Sequence, residues 1–244
     1  MSSPEESQFL SEYEPADFER PSVAVDVVLL TQVQGRLLVL VVLRSEHPDK
    51  GSWTLPGTFV RPDESLDAAA ARVLADKAGV KDVYLEQLYT FGSPSRDPRT
   101  RVISVGYYAL AAWDRVRGIA ETTGVALANI DVPWRGEQGG PVDLATDGGA
   151  AKVGFDHDEI IGMAIKRIRG KLDYAPIGYQ LLPAEFTLLQ LQQVHETIAG
   201  HQLNKDSFRR RMLASEELEA TGERQAGVGH RPAALYRFTK RSAI

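Results

Sequence analysis

Two Val- and Leu-rich runs, residues 23–30 and 37–43, are parted by a polar turn containing Gly35, and this pattern predicts a pair of β-strands. The period then changes. Over 65–78, Leu66, Ala69, Ala70 and Val73 recur at helical spacing, and Gly79 stands where a glycine terminates a helix. Residues 83–91 and 102–111 return to strand patterning on either side of a turn-rich stretch at 92–99. Over 122–154 periodicity is weak and Gly136, Gly139, Gly140, Gly148 and Gly149 accumulate, which predicts a mobile insertion or a lid. Helical spacing resumes at 155–171 with Ile160, Ile161, Ala164, Ile165 and Ile168, and the proline-containing stretch 173–183 then reads as a linker.

A different pattern follows the linker. Thr187 and Gln190 form a capping box, Leu188, Leu191, Val194 and Ile198 line one helical face, and Gly200 ends that helix. Asn204 caps a second helix over 205–214, in which Phe208 and Met212 at i and i+4 face the first. Residues 223–228 and 235–238 then predict a hairpin with a basic, glycine-bearing tip at His230 and Arg231. Helix, turn, basic helix and hairpin make a winged helix-turn-helix, whose second helix enters a major groove.

Charge sharpens this division. Residues 1–162 carry 15 basic against 25 acidic side chains, whereas residues 163–244 carry 13 against 8, an acidic body with a basic end suited to a polyanion. The candidate DNA contacts are Asn204, Lys205, Ser207, Arg209, Arg210 and Arg211 on the second helix and His230, Arg231 and Arg237 on the wing; a solvated basic face or a protein-interaction module is the competing reading. The chain has no cysteine, which removes disulfides and thiolate chemistry and suits a cytoplasmic location. Residues 1–20, rich in glutamate and without a long apolar run, read as a disordered acidic lead-in, neither signal peptide nor membrane anchor.

The helix at 65–78 carries the most specific motif. Glu64, Arg72, Leu74, Gly79 and Val80 keep the spacings of the Nudix box, and residues 22–170 resemble a Nudix domain around it. In that family helical glutamates hold a divalent metal that promotes pyrophosphate cleavage, because a hard cation takes several carboxylate oxygens. Here the family's first glycine falls on Thr58, its first helical glutamate on Val73, and its glutamate pair on Asp76 and Lys77. The helical triplet at 73, 76 and 77 thus has no net charge, and an ammonium at 77 repels a dication. The stretch 88–104 is similar to Nudix enzymes acting on ADP-ribose, with Arg96, Arg99 and Arg101 as diphosphate candidates and Phe91 or Trp53 as an adenine platform. Arg44, Phe59, Arg61, Glu64 and Lys77 complete the expected effector site. The run 155–159, Phe-Asp-His-Asp-Glu, offers a metal cluster on paper but reads better as an acidic helix start.

The C-terminal stretch 186–238 resembles the winged-helix domain of Nudix-related transcriptional regulators of NAD metabolism, through Phe186-Thr-Leu, Phe208-Arg-Arg, Thr221-Gly and the run from Arg231 to Phe238, and the junction at 169–177 is similar too. The resemblance covers about nine-tenths of the chain. It implies an α/β (α+β Nudix sandwich) domain over 21–172 followed by a winged helix-turn-helix domain over 184–244. It implies a homodimer on a double-stranded DNA operator that represses NAD biosynthesis or salvage genes and responds to ADP-ribose or a related NAD-derived nucleotide. On this reading no residue is catalytic and no metal or resident cofactor is needed; a magnesium-dependent ADP-ribose or NAD pyrophosphatase is the alternative.

Overall fold

In the computed structural model, residues 3–14, 18–172, 175–227 and 232–239 are described. The chain starts with helix α1 (Pro4–Glu12), where a disordered lead-in was expected. The local reason is an N-terminal signature: Ser3 Oγ accepts the Glu6 amide at 3.1 Å, Pro4 occupies the first helical turn, and Glu5 and Glu6 follow. None of its residues is buried.

Strands β1 (Ser22–Val33), β2 (Arg36–Leu43), β3 (Trp53–Thr54), β4 (Gly57–Phe59), β5 (Tyr84–Phe91), β6 (Val102–Leu110), β7 (Val125–Asp131), β8 (Asp143–Thr146) and β9 (Gly149–Ala151) form one mixed sheet in the order β5-β6-β1-β2-β7-β8-β9, with β3 on β2 and β4 on β1. Among the described strand pairs only β1 and β6 run parallel, beside an isolated parallel bridge between Trp53 and Val153. β1 is apolar on both sides because both sides are covered. Val25, Val27 and Leu29 pack with Ala69, Ala70, Val73 and Leu74 of helix α2 (Leu66–Ala78), whereas Val28 and Leu30 share a core with Ile160, Ile161, Ile165 and Ile168 of helix α4 (His157–Lys171). A short helix α3 (Trp113–Val116) runs into a 3-10 turn (Arg117–Glu121) that leads to β7.

Two expectations fail here. The glycine-rich stretch 122–154 holds three strands, and β7 pairs with β2 from Val42–Val125 to Leu38–Asn129. Its sequence, Val-Ala-Leu-Ala-Asn-Ile-Asp, is short and alanine-rich, so the signal for a strand comes from the edge of β2 rather than from its own side chains. The expected linker, as far as it is described from Ala175 onward, contributes to the core. Pro176–Leu181 is a 3-10 helix with Ile177, Tyr179 and Leu181 buried, and the Tyr179 ring stacks on Phe238 at 4.2 Å and lies 5.8 Å from Phe186. The core on the α4 side of the sheet therefore continues without a break into the C-terminal unit.

That unit comprises helices α5 (Leu188–Ala199) and α6 (Lys205–Ala214) and a hairpin of β10 (Leu218–Arg224) and β11 (Ala234–Phe238). The backbones of Phe186 and Tyr236 exchange hydrogen bonds of 3.0 and 2.8 Å, adding a third short pairing. β10 starts at Leu218, five residues before the expected first wing strand, since Leu218 faces Phe238 across the ladder. No helix among the described residues is long and apolar enough to cross a membrane.

Candidate functional site: a basic cleft and a winged helix

A cleft of about 470 Å³ opens where β1, β2, β4 and the start of α4 meet, lined by Arg44, Lys77, Arg96 and Arg99 together with Phe59 and Phe155. A larger groove of about 700 Å³ lies between the β1–β2 turn and α5, but its lining contains glutamines, two acids and no lysine or arginine. The smaller cleft, whose four cationic side chains outnumber Asp26, Glu46 and Asp97 in its lining, is the candidate anion site.

Beneath it lies a buried polar network. Asp26, the one charged residue in the apolar run of β1, accepts the Ser104 hydroxyl at 2.5 Å and Arg96 Nη2 at 3.4 Å. Arg96, itself 5% exposed, donates mainly to Asp156, through Nε at 2.9 Å and Nη2 at 2.7 Å. Burial alone lowers the pKa of a guanidinium, yet these carboxylates hold that of Arg96 above its usual value. His157 Nδ1 accepts the Leu55 amide at 2.8 Å, so the ring proton sits on Nε2, 3.6 Å from Asp26. Burial holds its pKa below the usual imidazole range, and a ring that accepts through Nδ1 is in its neutral form. Gly57 is obligatory beside this network, since a Cβ there would lie 2.2 Å from Asp26 Oδ1.

The remaining cleft cations differ in how far they are committed. Arg99 is paired with Asp97 at 2.7 Å. Arg44 donates to the Pro48 carbonyl at 2.7 Å and lies 4.9 Å over the Phe155 ring, whose backbone takes the left-handed region at φ 56°. Lys77 lines the cleft and forms no ion pair among the described residues.

Of the expected effector residues, the fold gathers Arg44, Phe59, Lys77, Arg96 and Arg99 in the cleft and leaves Trp53, Arg61, Glu64, Phe91 and Arg101 outside its lining. Trp53 packs at the core edge with its amide on Lys152, and Phe91 lies beneath Gly106 with Tyr89 edge-on at 5.5 Å. Arg101 braces the 92–99 turn through Gly92 O and Ser93 O. Arg61 is exposed and offers its amide to Glu64. Sequence patterning did not single out Asp26 as a lining residue, and it met Phe155 and His157, which also line the cleft, only within a run read as a helix start. A lone aspartate in an apolar strand was the available signal for the first.

Glu64 is committed to a neighbouring side chain as well. Both its oxygens are held by Arg72, at 2.9 and 2.5 Å, and one also accepts the Arg61 amide at 2.9 Å, which ties the loop before α2 to the helix. The side-chain bond to Arg72 is the chief reason that its pKa falls from 4.5 to about 2. Because the unfolded chain binds this proton first, the stabilisation from Glu64 is complete above about pH 4.5 and is lost as pH falls through 2. Denaturant unfolding followed from pH 6 to pH 2 should show a shallower acid loss in Glu64→Gln than in the parent chain.

In the C-terminal unit the backbone explains the helix-turn-helix. Thr187 and Gln190 cap α5 reciprocally, Gly200 closes it at φ 75°, and Glu196 accepts the Leu203 amide at 2.9 Å and the Gln192 amide nitrogen at 2.8 Å. Asn204 Oδ1 then accepts the Ser207 amide at 3.0 Å and starts α6. Phe208 and Met212 are buried, and Lys205, Ser207, Arg209 and Arg210 are exposed on the outward surface. Arg211 lies over the Phe208 ring at 5.7 Å. Arg237 is joined to Glu219 across the wing at 2.8 Å, and His230 and Arg231 lie outside the described residues. Arg224, which charge patterning alone did not mark, ties the two wing strands together near the tip through Pro232 O at 3.1 Å.

A mixed sheet with a Nudix-box helix, continuous with a winged helix, defines a two-part class of protein. The NUDIX domain family matches residues 20–126, and the NrtR DNA-binding winged helix domain matches residues 178–238. The chain is 36% identical over 239 residues to the ADPR responsive transcriptional repressor NtrR of Acinetobacter baylyi, covering 96% of this chain and 88% of that protein. The crystal structure of Shewanella oneidensis NrtR complexed with a 27mer DNA is similar at 35% identity and a TM-score of 0.73, covering 88% of this chain and 93% of that one. A MutT/nudix family protein from Enterococcus faecalis matches at 26% identity and a TM-score of 0.74, covering 98% and 99%. The chain belongs to the NrtR family.

Proposed function

We propose that this protein is a transcriptional repressor of NAD biosynthesis or salvage genes that binds operator DNA through α6 and the wing as a homodimer and is released by ADP-ribose in the basic cleft. The observation that carries the reading is the exposed basic surface of α6, with Lys205, Arg209 and Arg210 outward while Phe208 and Met212 anchor the helix to α5. Its relatives in Acinetobacter baylyi and Shewanella oneidensis are named for ADP-ribose response and crystallised with DNA, respectively, which supports both halves. In the cleft, Lys77, Arg44 and Arg96 offer charge to a diphosphate, and Phe59 and Phe155 offer ring faces to a base.

The Nudix domain binds here and does not hydrolyse. Val73 is buried in the core beneath α2, Lys77 brings an ammonium to the cleft, and Glu64 is taken up by Arg72. This donor set does not fit a divalent cation.

A fluorescent duplex from the chain's own upstream region, titrated with protein and magnesium, tests the reading. Binding is expected to weaken on addition of ADP-ribose, and the ADP-ribose should be recovered intact. Arg209→Ala with Arg210→Ala should weaken binding to all duplexes and reduce the salt slope by about two, one for each phosphate that is no longer neutralised. Unchanged DNA retention and salt slope would sink the DNA-reading half; indifference to ADP-ribose would sink the sensor half.

A further inference from the structure

We propose that α4 carries the coupling between cleft and winged helix, with Arg169 as the positioning residue at its far end; this rests on the repressor reading above. The helix has 15 residues and so spans about 22 Å, with its two ends in different functional surroundings. At the start, Asp156 is its cap residue and makes no side-chain capping bond; its carboxylate instead holds Arg96 in the wall of the cleft. At the finish, Arg169 donates to Ile198 O at 2.8 Å, in the last turn of α5.

Chemistry at both ends makes the connection specific. Asp156 and an incoming diphosphate compete for the same Arg96 guanidinium, because both are oxyanions suited to its fork. A bound ligand therefore changes what holds the start of α4. The body of the helix passes this on as a unit, since Ile160, Ile161, Ala164, Ile165 and Ile168 are all fully buried against the sheet.

Arg169 then bridges three structures at once. Besides Ile198 O it donates to Gly136 O at 2.9 Å and lies 4.8 Å over the Trp134 ring. Burial lowers its pKa, and the groups that hold it are two carbonyls and a ring. The favourable charge for it is the negative end of α5, where Gly200 leaves room: a Cβ there would meet Arg169 Nη2 at 3.0 Å. A shift of α4 moves this cation relative to the helix that supports α6.

The test uses the full chain. The DNA dissociation constant is measured with and without saturating ADP-ribose, and ADP-ribose affinity is measured separately by calorimetry, for the parent chain, Arg169→Ala and Arg169→Lys. In the parent the ratio of DNA constants should be roughly tenfold or more. Arg169→Ala should still bind ADP-ribose within about twofold while that ratio falls toward one. Arg169→Lys keeps the charge but cannot reach both carbonyls, and should fall between. A parent-like ratio in Arg169→Ala overturns the proposal alone, whereas a ratio of one in the parent overturns the sensor reading and the proposal with it. Should Arg169→Ala fail to fold, hydrogen exchange on the parent decides: protection at residues 134–140 and 198–203 should change with ADP-ribose, and no change at either overturns the proposal.

Discussion

Gly162→Ala is expected to lower the thermal midpoint by on the order of 5–10 °C, although alanine is the better helix former. Gly162 sits inside α4 where the segment before β8 crosses it. A Cβ there would lie 1.8 Å from the carbonyl oxygen of Gly140 and 3.0 Å from its carbon, both backbone atoms. The gain in helix propensity is about 1 kcal/mol, whereas forcing two backbones apart costs about 3 kcal/mol or more. The steric term wins. Differential scanning calorimetry checks this, and a raised midpoint would show that the crossing segment yields freely.

Tyr179→Ala is expected to cost about 3–5 kcal/mol and to fall most heavily on the winged helix. Its ring is buried between the sheet-side core and the C-terminal unit, stacked on Phe238 at 4.2 Å, with its hydroxyl 3.8 Å from the Met212 sulfur. Removing it leaves a void shared by α6 and β11. Hydrogen exchange should lose protection in α5 and α6 while β1 and β6 keep theirs. Uniform loss across both units would mean that the two unfold together regardless of this contact.

Both predictions concern segments that the sequence describes poorly. The stretch at 122–154 reads as loop because its glycines break periodicity. Two of those glycines, however, answer to neighbours far along the chain: Gly139 lies against Lys166 and Gly140, through its carbonyl, against Gly162. No local pattern records such contacts. The 173–183 stretch reads as a linker because prolines punctuate it, yet Ile177, Tyr179 and Leu181 are buried by surfaces that exist only after the sheet and the wing have formed.

The same distinction runs through the cleft. Arg44, Lys77 and Arg96 were nameable from charge and motif spacing, whereas Trp53, Phe91 and Arg101 satisfied the same criteria and serve the core or a turn instead. A planar ring or a guanidinium has the same chemistry in either place. Only the packing of the strands, helix and turns that carry them decides which of these each one meets.

By itself, the sequence determined what depends on near neighbours: the strands β1 and β2, the caps of α2, α5 and α6, the spacing of the Nudix-box helix and the basic surface of α6. Periodicity, caps and charge act over a few residues, so they are written where they act. Tertiary structure decided the rest. It made Glu64 a brace for Arg72 rather than a ligand, drew Asp26, Arg96 and the adjacent pair Asp156 and His157 from three parts of the chain into one buried network, and set Arg169 on the end of α5. Those roles depend on distances between residues far apart in the chain, and only packing sets such distances.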